Sequence, residues 1–367
     1  MHTEPITRAL ALAREAMGKT EPNPRVGCVL TDAAGRVIGE GHTQPAGQPH
    51  AEVMALSDAA ARGHSVAGAT AYVTLEPCSH HGRTGPCCDA LVAAGITRVV
   101  ASLQDPNPLV AGQGFARLRA AGVAVEVGPG AEASRELNLG FFSRMVRGTP
   151  WVRMKVAASL DGQTALANGQ SQWITSEAAR ADGHAWRARA GAVLTGIGTV
   201  LEDDPRLDVR LVPAGRQPPL VVVDSRLQTP PGAALFEVPH RPVWIYAAEE
   251  HFEAQKTLEA RGATVIHLPG PGGKVDLAAL LKDLGGRGVN ELHVEAGFKL
   301  NGSLLREGLV DEFLVYLAPR LLGPGQGMVN IGPLASLGDA VALEFGAIER
   351  VGADLRVLAR VPGRDRF

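Results

Sequence analysis

Apolar residues in the first 50 positions follow a helical spacing and then form two strand-like runs. Ile6, Leu10 and Ala13 recur at intervals of three or four, which predicts an amphipathic helix at the start of the chain. The runs at 22–30 and 36–41 predict two strands joined by a turn at 32–35. The chain is therefore predicted to open with a helix and a hairpin.

Between residues 50 and 127, helical and strand-like segments alternate. In chain order they occupy 50–63, 71–75, a stretch from about 86, 97–103, 114–122 and 123–127. Such alternation is typical of a sheet that is covered by helices on both faces.

The sequence RGTP at 147–150 interrupts this pattern, and a second series of strands and helices begins at Trp151. The later strand-like runs lie at 219–225, 242–247, 263–269 and 290–297. The last two apolar segments, at 311–319 and 343–361, have no helical pattern between them, which indicates an antiparallel end to the second sheet. We therefore expect two domains, 1–147 and 148–367, each with its own core.

Composition narrows the class of partner. The 367 residues are 45% hydrophobic and 4% aromatic, and the net charge is −2, so the chain has no basic surplus for nucleic acid or an acidic membrane. Arg8, Arg14 and Glu15 interrupt the apolar residues of the first segment, which is typical of an amphipathic helix rather than a signal peptide. We expect a cytoplasmic protein whose partners are small molecules.

All four cysteines lie in the first quarter of the chain, three of them in the stretch EPCSHHGRTGPCC at 76–88. In a reducing compartment, clustered cysteines indicate metal binding or catalysis before disulfides. A His-x-Glu pair, His50 and Glu52, precedes a Pro-Cys pair that ends at Cys78, which is the order found in zinc deaminases. A catalytic zinc takes three protein ligands and leaves a position for water, so His50, Cys78 and Cys87 are the candidate ligands. Glu52 is the candidate proton carrier.

Other interpretations of the cluster remain open at this point. Eight residues separate Cys78 from Cys87, whereas two is the commoner spacing, and Cys88 competes with its neighbour. Adjacent helical residues point about 100° apart, so one of the two cysteines is expected in the core. A structural four-ligand zinc site would use Cys78, Cys87, Cys88 and either His80 or His81, but it would leave the His-x-Glu pair unexplained. A cluster without metal is the remaining alternative, and Cys28, on a strand, is expected to pack in the core.

The second half has no GxGxxG motif after a strand. The nearest pattern, TGIGTVLEDDP at 195–205, offers close backbone access at Gly196 and Gly198. In VEAGFKLNGSLL at 294–305, a strand ends and a helix is predicted to begin near Leu300, where a phosphate would suit the helix N-terminus. Taken alone, each pattern fits a structural turn better than a cofactor site.

Four motifs of the first half, EPNPRVGCV, HAEV, YVTLEPCSHHGRTGPCCDAL and QDPNP, resemble the deaminase half of the bifunctional riboflavin-biosynthesis deaminase/reductase family. The long loop between the cysteines is a feature of that family. The resemblance implies a cytidine-deaminase-like three-layer α/β/α domain with His50, Cys78 and Cys87 on zinc and Glu52 as the acid/base. Gly85 stands where the family pattern leads us to expect proline.

The motifs KVAASLDG, SQWITS, LTGIGTVLEDDPRL and VEAG are similar to the reductase half of the same family, which implies a dihydrofolate-reductase-like α/β domain that uses NADPH. The implied cofactor contacts are Ala157, Trp173, Thr199, Asp203, Ser225, Gly297, Phe298, Lys299, Leu300, Asn301, Gly302 and Ser303. The implied substrate contacts are Ser171, Arg187, Leu207, Arg210 and Glu295. The two arginines suit a sugar phosphate, whereas the roles of Lys155 and Asp161 stay open.

The resemblance implies hydrolytic deamination of 2,5-diamino-6-(ribosylamino)-4(3H)-pyrimidinone 5′-phosphate. NADPH-dependent reduction of its ribosyl group would follow, giving 5-amino-6-(ribitylamino)uracil 5′-phosphate. It implies zinc, NADPH, a phosphorylated ribosylaminopyrimidine substrate and a homo-oligomer, with neither nucleic acid nor membrane as a partner. Two rival hypotheses are a deaminase of nucleoside or nucleic-acid bases with an unrelated second domain, and a nucleotide-sensing protein with a structural zinc.

Overall fold

The computed structural model of the protein describes residues 3–80 and 85–367. Within it the chain divides into two compact units, one up to Gly148 and one from Thr149. The first unit is built on five strands, β1 (Gly27–Thr31), β2 (Val37–His42), β3 (Thr70–Val73), β4 (Arg98–Ala101) and β5 (Ala124–Val127). Their order is β2-β1-β3-β4-β5, with antiparallel pairs around β1 and parallel pairs beyond β3.

Six helices accompany this sheet: α1 (Thr3–Glu15), α2 (Ala51–Ala61), α3 (Cys87–Ala93), α4 (Gln113–Ala120), α5 (Ala131–Leu137) and α6 (Leu139–Arg147). Helices α1 and α5 contact each other, while α2 and α4 both contact α3. The predicted helices and strands of this half are present. The sequence pattern assigns no element to 128–147, where α5 and α6 lie.

Glycines in the hairpin allow helices to approach both faces of the sheet. A Cβ on Gly27 would lie 1.9 Å from the carbonyl oxygen of Ala9 in α1, and a Cβ on Gly41 would lie 2.5 Å from the backbone nitrogen of Ala55 in α2. Because Gly27 and Cys28 are neighbours on β1 and Cys28 pairs with Gly41, the two contacts lie on opposite faces. Helix α2, which carries His50 and Glu52 at its start, is thereby held close to the sheet.

The second unit contains eleven named strands: β6 (Trp151–Ser159), β7 (Gln163–Leu166), β8 (Ala192–Gly196), β9 (Leu220–Val223), β10 (Val243–Ala247), β11 (Ala263–His267), β12 (Glu291–Val294), β13 (Glu312–Ala318), β14 (Gly325–Gly327), β15 (Glu344–Val351) and β16 (Asp354–Arg360). Nine of them form one sheet in the order β11-β10-β9-β8-β12-β6-β13-β16-β15. In this spatial order, all neighbouring strands from β11 through β13 are parallel, and β16 and β15 complete the sheet in antiparallel pairs. The predicted antiparallel end is present.

The helices of this unit are α7 (Glu177–Arg189), α8 (Ile197–Asp203), α9 (Phe252–Ala260), α10 (Leu277–Gly286) and α11 (Phe298–Arg306). The larger core cluster lies between the central strands and α10 and α11, and includes Met154, Leu194 and Leu281. The helix predicted to begin near Leu300 is present and begins two residues earlier, at Phe298. Gly297 has the extended backbone of an N-cap, so Phe298 and Lys299 already belong to the first turn of α11.

Strand β15 and the segment before it stand out by their exposure. Every residue from 332 to 350 is exposed, and β15 is the edge strand of the large sheet. Apolar side chains share this exposure: Leu337 is 96% exposed and Phe345 is 76% exposed.

Among the described helices, none combines the length and hydrophobicity needed to span a lipid bilayer.

Candidate active sites

The three candidate zinc ligands come together at the helix starts of the first unit. His50 is the N-cap of α2, Cys78 follows β3, and Cys87 is the first residue of α3. The Nδ1 atom of His50 lies 3.6 Å from the Sγ of Cys78 and 3.4 Å from the Sγ of Cys87. A tetrahedral zinc with usual Zn–N and Zn–S bonds separates such ligand atoms by about 3.5 Å, so the donor set fits this ion.

The charge state of the cysteines also suits a metal, which binds the thiolate form. Hydrogen bonding by Cys87 and its backbone N–H, together with His50, lowers the pKa of the Cys78 thiol to about 4 against the opposing effect of burial. The adjacent Cys88 is turned elsewhere: its thiol donates to the carbonyl oxygen of Pro77 at 3.1 Å, and it is fully buried. Within the described residues the ligand group thus contains His50 rather than His80 or Cys88. Cys28 is also fully buried, on β1.

Glu52 lies in the first turn of α2, beside the ligands but outside the ligand group. Only 3% of the residue is exposed. Burial, reinforced by the charge of the Cys78 thiolate, raises the pKa of the Glu52 carboxyl to about 7. A carboxyl with this pKa can both accept and release a proton near neutral pH, which is what a general acid/base requires.

A cavity of about 210 Å³ opens beside the ligands. Its wall contains groups that the sequence motifs did not single out for a role, including Asp105, Asn107 and Arg144. His80, which the sequence leaves between an exposed position and a substrate contact, lines the cavity and is partly buried. His81 lies outside the described residues.

Glu76 links the ligand-bearing segment to the opposite wall of the cavity. Its buried carboxylate accepts backbone N–H groups from Asp105 at 3.1 Å, Gly112 at 2.9 Å and Phe115 at 3.2 Å. Burial raises the pKa of the neighbouring Asp105 carboxyl to about 7. A short sequence motif could not have identified Glu76 as a connector, because its partners are 29 to 39 residues away.

In the second unit, the candidate cofactor residues gather at the carboxyl ends of neighbouring parallel strands. Parallel strands β9, β8, β12 and β6 are neighbours, and the segments after the first three carry Ser225, Thr199 and Gly297. Ala157 lies in the carboxyl-terminal half of β6. A Cβ on Gly297 would lie 3.8 Å from the Oγ1 of Thr199, which places the start of α11 beside α8. Open α/β sheets bind ligands at the carboxyl ends of their strands, so these residues fit a nucleotide cofactor.

Glu295, just after β12, is the centre of a cluster of charged residues at the same carboxyl ends of the strands. Arg187 of α7 donates from Nε to Oε1 at 2.6 Å and from Nη2 to Oε2 at 3.0 Å. Lys155 of β6 lies 3.7 Å from Oε2, and the buried His293 lies 3.5 Å from Oε1. Burial opposes ionisation, but Arg187 and Lys155 outweigh it and hold the pKa of Glu295 well below its usual range. The structure therefore gives Lys155, whose role the sequence leaves open, a place beside Glu295.

Arg210 lies in the loop after α8, where half of its side chain is exposed. Its Nη1 donates to Oδ1 of Asp208 at 2.5 Å. Leu207, a candidate substrate contact, has its side chain in a hydrophobic core cluster, so any contact with substrate would come from its backbone.

Ser171, Trp173 and Asp203 lie on adjoining segments of the same unit. The residue between the first two, Gln172, donates to Oδ1 of Asp203 at 3.4 Å. Trp173 is 60% exposed, and the guanidinium of Arg180 lies 4.7 Å from its ring centroid. The side chain of Trp173 is therefore open to a ligand on its other face.

The carboxylate of Asp161 accepts hydrogen bonds that the sequence did not predict. It accepts the Ser159 hydroxyl at 2.5 Å and backbone N–H groups of Leu322 and Gly323. These bonds fasten the turn after β6 to the segment after β13.

The segment 297–303 does not present all of its residues to the carboxyl ends of the strands. Asn301 is buried and donates to the carbonyl oxygen of Met328 at 3.2 Å. A Cβ on Gly302 would lie 2.0 Å from the carbonyl oxygen of Asn330. The remaining members, Phe298, Lys299, Leu300 and Ser303, are exposed or partly buried. Asn301 and Gly302 are thus packed inward, whereas Gly297, the first turn of α11 and Ser303 are the parts of this segment that a cofactor can reach.

Comparison with known proteins assigns both units to families. Residues 2–103 match the cytidine and deoxycytidylate deaminase zinc-binding region, and residues 150–357 match the RibD C-terminal domain. The second match covers more than half of the chain.

Similar proteins match along almost the whole length. The riboflavin biosynthesis protein RibD of Escherichia coli K12 is 46% identical over 363 residues, covering 95% of this chain and 96% of that protein. RibD of Aquifex aeolicus is 41% identical over 347 residues, covering 95% of each chain.

Solved structures agree with these matches. One crystal form of Acinetobacter baumannii RibD superposes with a TM-score of 0.87 at 40% identity, covering 98% of both chains. The diaminohydroxyphosphoribosylaminopyrimidine deaminase/5-amino-6-(5-phosphoribosylamino)uracil reductase of Thermotoga maritima gives 0.86 at 31% identity, also covering 98% of both. These findings confirm the predicted family, fold class and cofactors. The chain belongs to the RibD family and is a bifunctional enzyme of riboflavin biosynthesis, with a zinc-dependent deaminase and an NADPH-dependent reductase.

Proposed function

We propose that the deaminase acts in the cavity of the first unit, with His50, Cys78 and Cys87 as the zinc ligands and Glu52 as the proton carrier. The observation that carries the assignment is the ligand geometry, with the Nδ1 and Sγ atoms about as far apart as tetrahedral zinc requires. When bound, zinc supplies a Lewis acid that makes water available as a nucleophile near neutral pH.

The chain's own contribution to deamination is the movement of a proton. Glu52 takes one proton of the water as its oxygen adds to the pyrimidine ring carbon, and delivers that proton to the ring nitrogen. It then passes the second proton of the water, released as the carbonyl forms, to the amine, so that the C–N bond breaks and ammonia leaves. Its raised pKa supports this exchange, because the group is then close to balance between its two forms. The substrate is 2,5-diamino-6-(ribosylamino)-4(3H)-pyrimidinone 5′-phosphate.

The reductase acts in the second unit, at the carboxyl ends of the parallel strands. NADPH supplies the hydride that converts the ribosyl group to ribityl, and the protein holds the two partners in place. We assign the cofactor to Ala157, Thr199, Ser225 and the start of α11, with Trp173 and Asp203 at its rim. The substrate contacts are Ser171, Glu295, the backbone at Leu207, and the two arginines Arg187 and Arg210, which face its sugar phosphate. The cluster around Glu295 supports this division, because it places two cations close to one fixed carboxylate.

The proposed function is tested by incubating the full-length protein with the diaminopyrimidine substrate, with and without NADPH. Ammonia release is expected in both reactions, and NADPH oxidation only where both substrate and cofactor are present. A dihydrofolate control without the pyrimidine should give no NADPH oxidation. If the protein releases ammonia from cytidine but not from the phosphorylated substrate, the assigned substrate is wrong.

We also propose that the protein is a homo-oligomer in the cytoplasm. The exposed segment 332–350 supports self-association, because an edge strand with exposed apolar side chains such as Phe345 and Ile348 is a usual site of pairing between chains. The cytoplasmic location is supported by the four cysteines, none of which forms a disulfide bond.

The oligomer is expected to be seen by light scattering coupled to size-exclusion chromatography. The double variant F345E/I348E should shift the mass toward that of one chain, since it places two carboxylates where an apolar contact is proposed. The matched variant Leu109→Glu changes an exposed apolar residue elsewhere and should leave the mass unchanged. A wild-type protein with the mass of a single chain would refute the proposal.

A further inference from the structure

The loop that carries Arg210 has no helical or strand structure, yet the backbone of each residue from Arg206 to Arg210 is held by a side chain from outside this stretch. Arg241 donates from Nη1 to the carbonyl oxygens of Arg206 at 2.7 Å and Leu207 at 3.0 Å. A third bond runs from its Nη2 to the carbonyl oxygen of Leu235. Since only 7% of Arg241 is exposed, a buried cation is committed to fixing this loop.

The second half of the loop is held in the same way. Gln217 accepts the N–H of Val209 at 2.7 Å and donates to its carbonyl oxygen at 2.9 Å. The backbone N–H of Arg210 donates to Nδ1 of His184 at 3.2 Å. Burial, followed by the charges of Arg187 and Arg210, lowers the pKa of His184 to about 4, so its ring is neutral and can accept this bond.

Asp208 is the residue of the loop that contacts both arginines assigned to the substrate. Its carboxylate accepts from Nη1 of Arg210 at 2.5 Å and lies 3.4 Å from Nε of Arg206. Its carbonyl oxygen accepts from Nη1 of Arg187, which in turn binds Glu295 through its other nitrogens. One residue therefore fixes the direction of two guanidinium groups that belong to different elements.

The contact with Arg210 leaves that side chain able to bind an anion. Only Nη1 is engaged, and the other side-chain N–H groups of Arg210 have no protein partner in the described part of the chain. The carboxylate is 9% exposed and fixed, while the arginine is 50% exposed. A guanidinium that is held at one nitrogen keeps a free edge for bidentate recognition of a phosphate.

We propose that Asp208 is a positioning residue for recognition of the substrate's 5′-phosphate, holding Arg210 with its carboxylate and Arg187 with its carbonyl oxygen. The proposal rests on the proposed function, in which these arginines face the sugar phosphate. It adds a specificity determinant that no motif indicated, because Asp208 acts through the arginines that it contacts.

The test compares Asp208→Asn with the wild-type enzyme, using the deaminated substrate with and without its phosphate. The amide keeps the shape of the side chain but loses the charge that orients Arg210. We expect KM for the phosphorylated substrate to rise about 10-fold, the scale of one charged hydrogen bond, with KM for NADPH and for the dephosphorylated substrate unchanged. Glu237→Gln is the matched control, because it removes a carboxylate that pairs with Arg206 without touching Arg210, and its KM should stay within about twofold.

A double-mutant cycle with Arg210→Ala separates positioning from a general loosening of the loop. In the Arg210→Ala background, Asp208→Asn should have no further effect on KM for the phosphorylated substrate. If it still raises KM there, or raises KM for the dephosphorylated substrate equally, its role is structural and the proposal is overturned. A lower KM in Asp208→Asn would show that the carboxylate competes with phosphate, which also overturns it.

Failure of the proposed function gives a different result. Arg210→Ala by itself should raise KM for the phosphorylated substrate and leave the dephosphorylated one unaffected. If it does not, the assignment of Arg210 to the phosphate is wrong, and the role of Asp208 falls with it. If Arg210→Ala behaves as expected and Asp208→Asn does not, only the positioning role is refuted.

Discussion

Glu52→Gln is expected to lower the rate of ammonia release by about 10²-fold or more, the usual scale of general acid/base catalysis. The amide has nearly the same size as the carboxyl but cannot carry a proton between water and the leaving ammonia. Because Glu52 lies outside the ligand group, the variant should keep its zinc. Its reduction of already deaminated substrate should be unchanged.

Two measurements make this result specific. Zinc content by elemental analysis distinguishes a lost proton carrier from a lost metal, and Glu132→Gln, an exposed glutamate in α5, provides the matched control. The control should retain ammonia release within about twofold, as expected of an exposed residue with no catalytic partner. A Glu52→Gln enzyme that releases ammonia at a near-normal rate would remove Glu52 from the mechanism.

Cys87→Ser is expected to lose most of the bound zinc and with it nearly all deaminase activity. Its Sγ is one of the three proposed ligand atoms, and a serine hydroxyl stays protonated where a thiolate would bind the metal. Cys88→Ser should retain zinc, since that side chain donates to the carbonyl oxygen of Pro77, a bond that a hydroxyl can also make.

The two adjacent variants control for each other, because both replace a buried thiol in the first turn of α3. Zinc is measured on folded protein, with circular dichroism to confirm folding and NADPH oxidation to confirm that the reductase is intact. Equal zinc loss from both variants, or loss from Cys88→Ser alone, would contradict the ligand assignment.

The sequence indicates the candidate deaminase ligands through local signals. His50 and Glu52 are two residues apart, and Cys78 follows a proline at the end of a strand, so short motifs contain them. Spacing alone did not decide between Cys87 and Cys88; the family resemblance favoured Cys87, and the structure places Cys87 in the candidate ligand group. The choice depends on where α3 begins and on which carbonyl oxygen accepts the second thiol.

The reductase site depends on contacts between distant parts of the chain, which spacing does not encode. Arg187 and Glu295 are 108 residues apart, and their pairing follows from the strand order rather than from any motif. The start of α11 was misplaced because the apolar spacing of Leu300 and Leu304 begins later than the helix. Gly297, its N-cap, has no side chain to signal a cap.

The carboxylate of Glu76 ties the segment 105–115 to the stretch of chain that leads to Cys78. Its three backbone partners would each lose a buried acceptor if the segment before Cys78 moved away, and leaving a buried donor without an acceptor costs about 1–3 kcal/mol each. Local unfolding of the segment 105–115 therefore cannot occur without disturbing the strand end that leads to Cys78. We therefore expect fluctuations of the segment 105–115 to be coupled to those of Cys78, so that the exchange of metal at the proposed site would depend on the stability of a loop that supplies none of the proposed ligands.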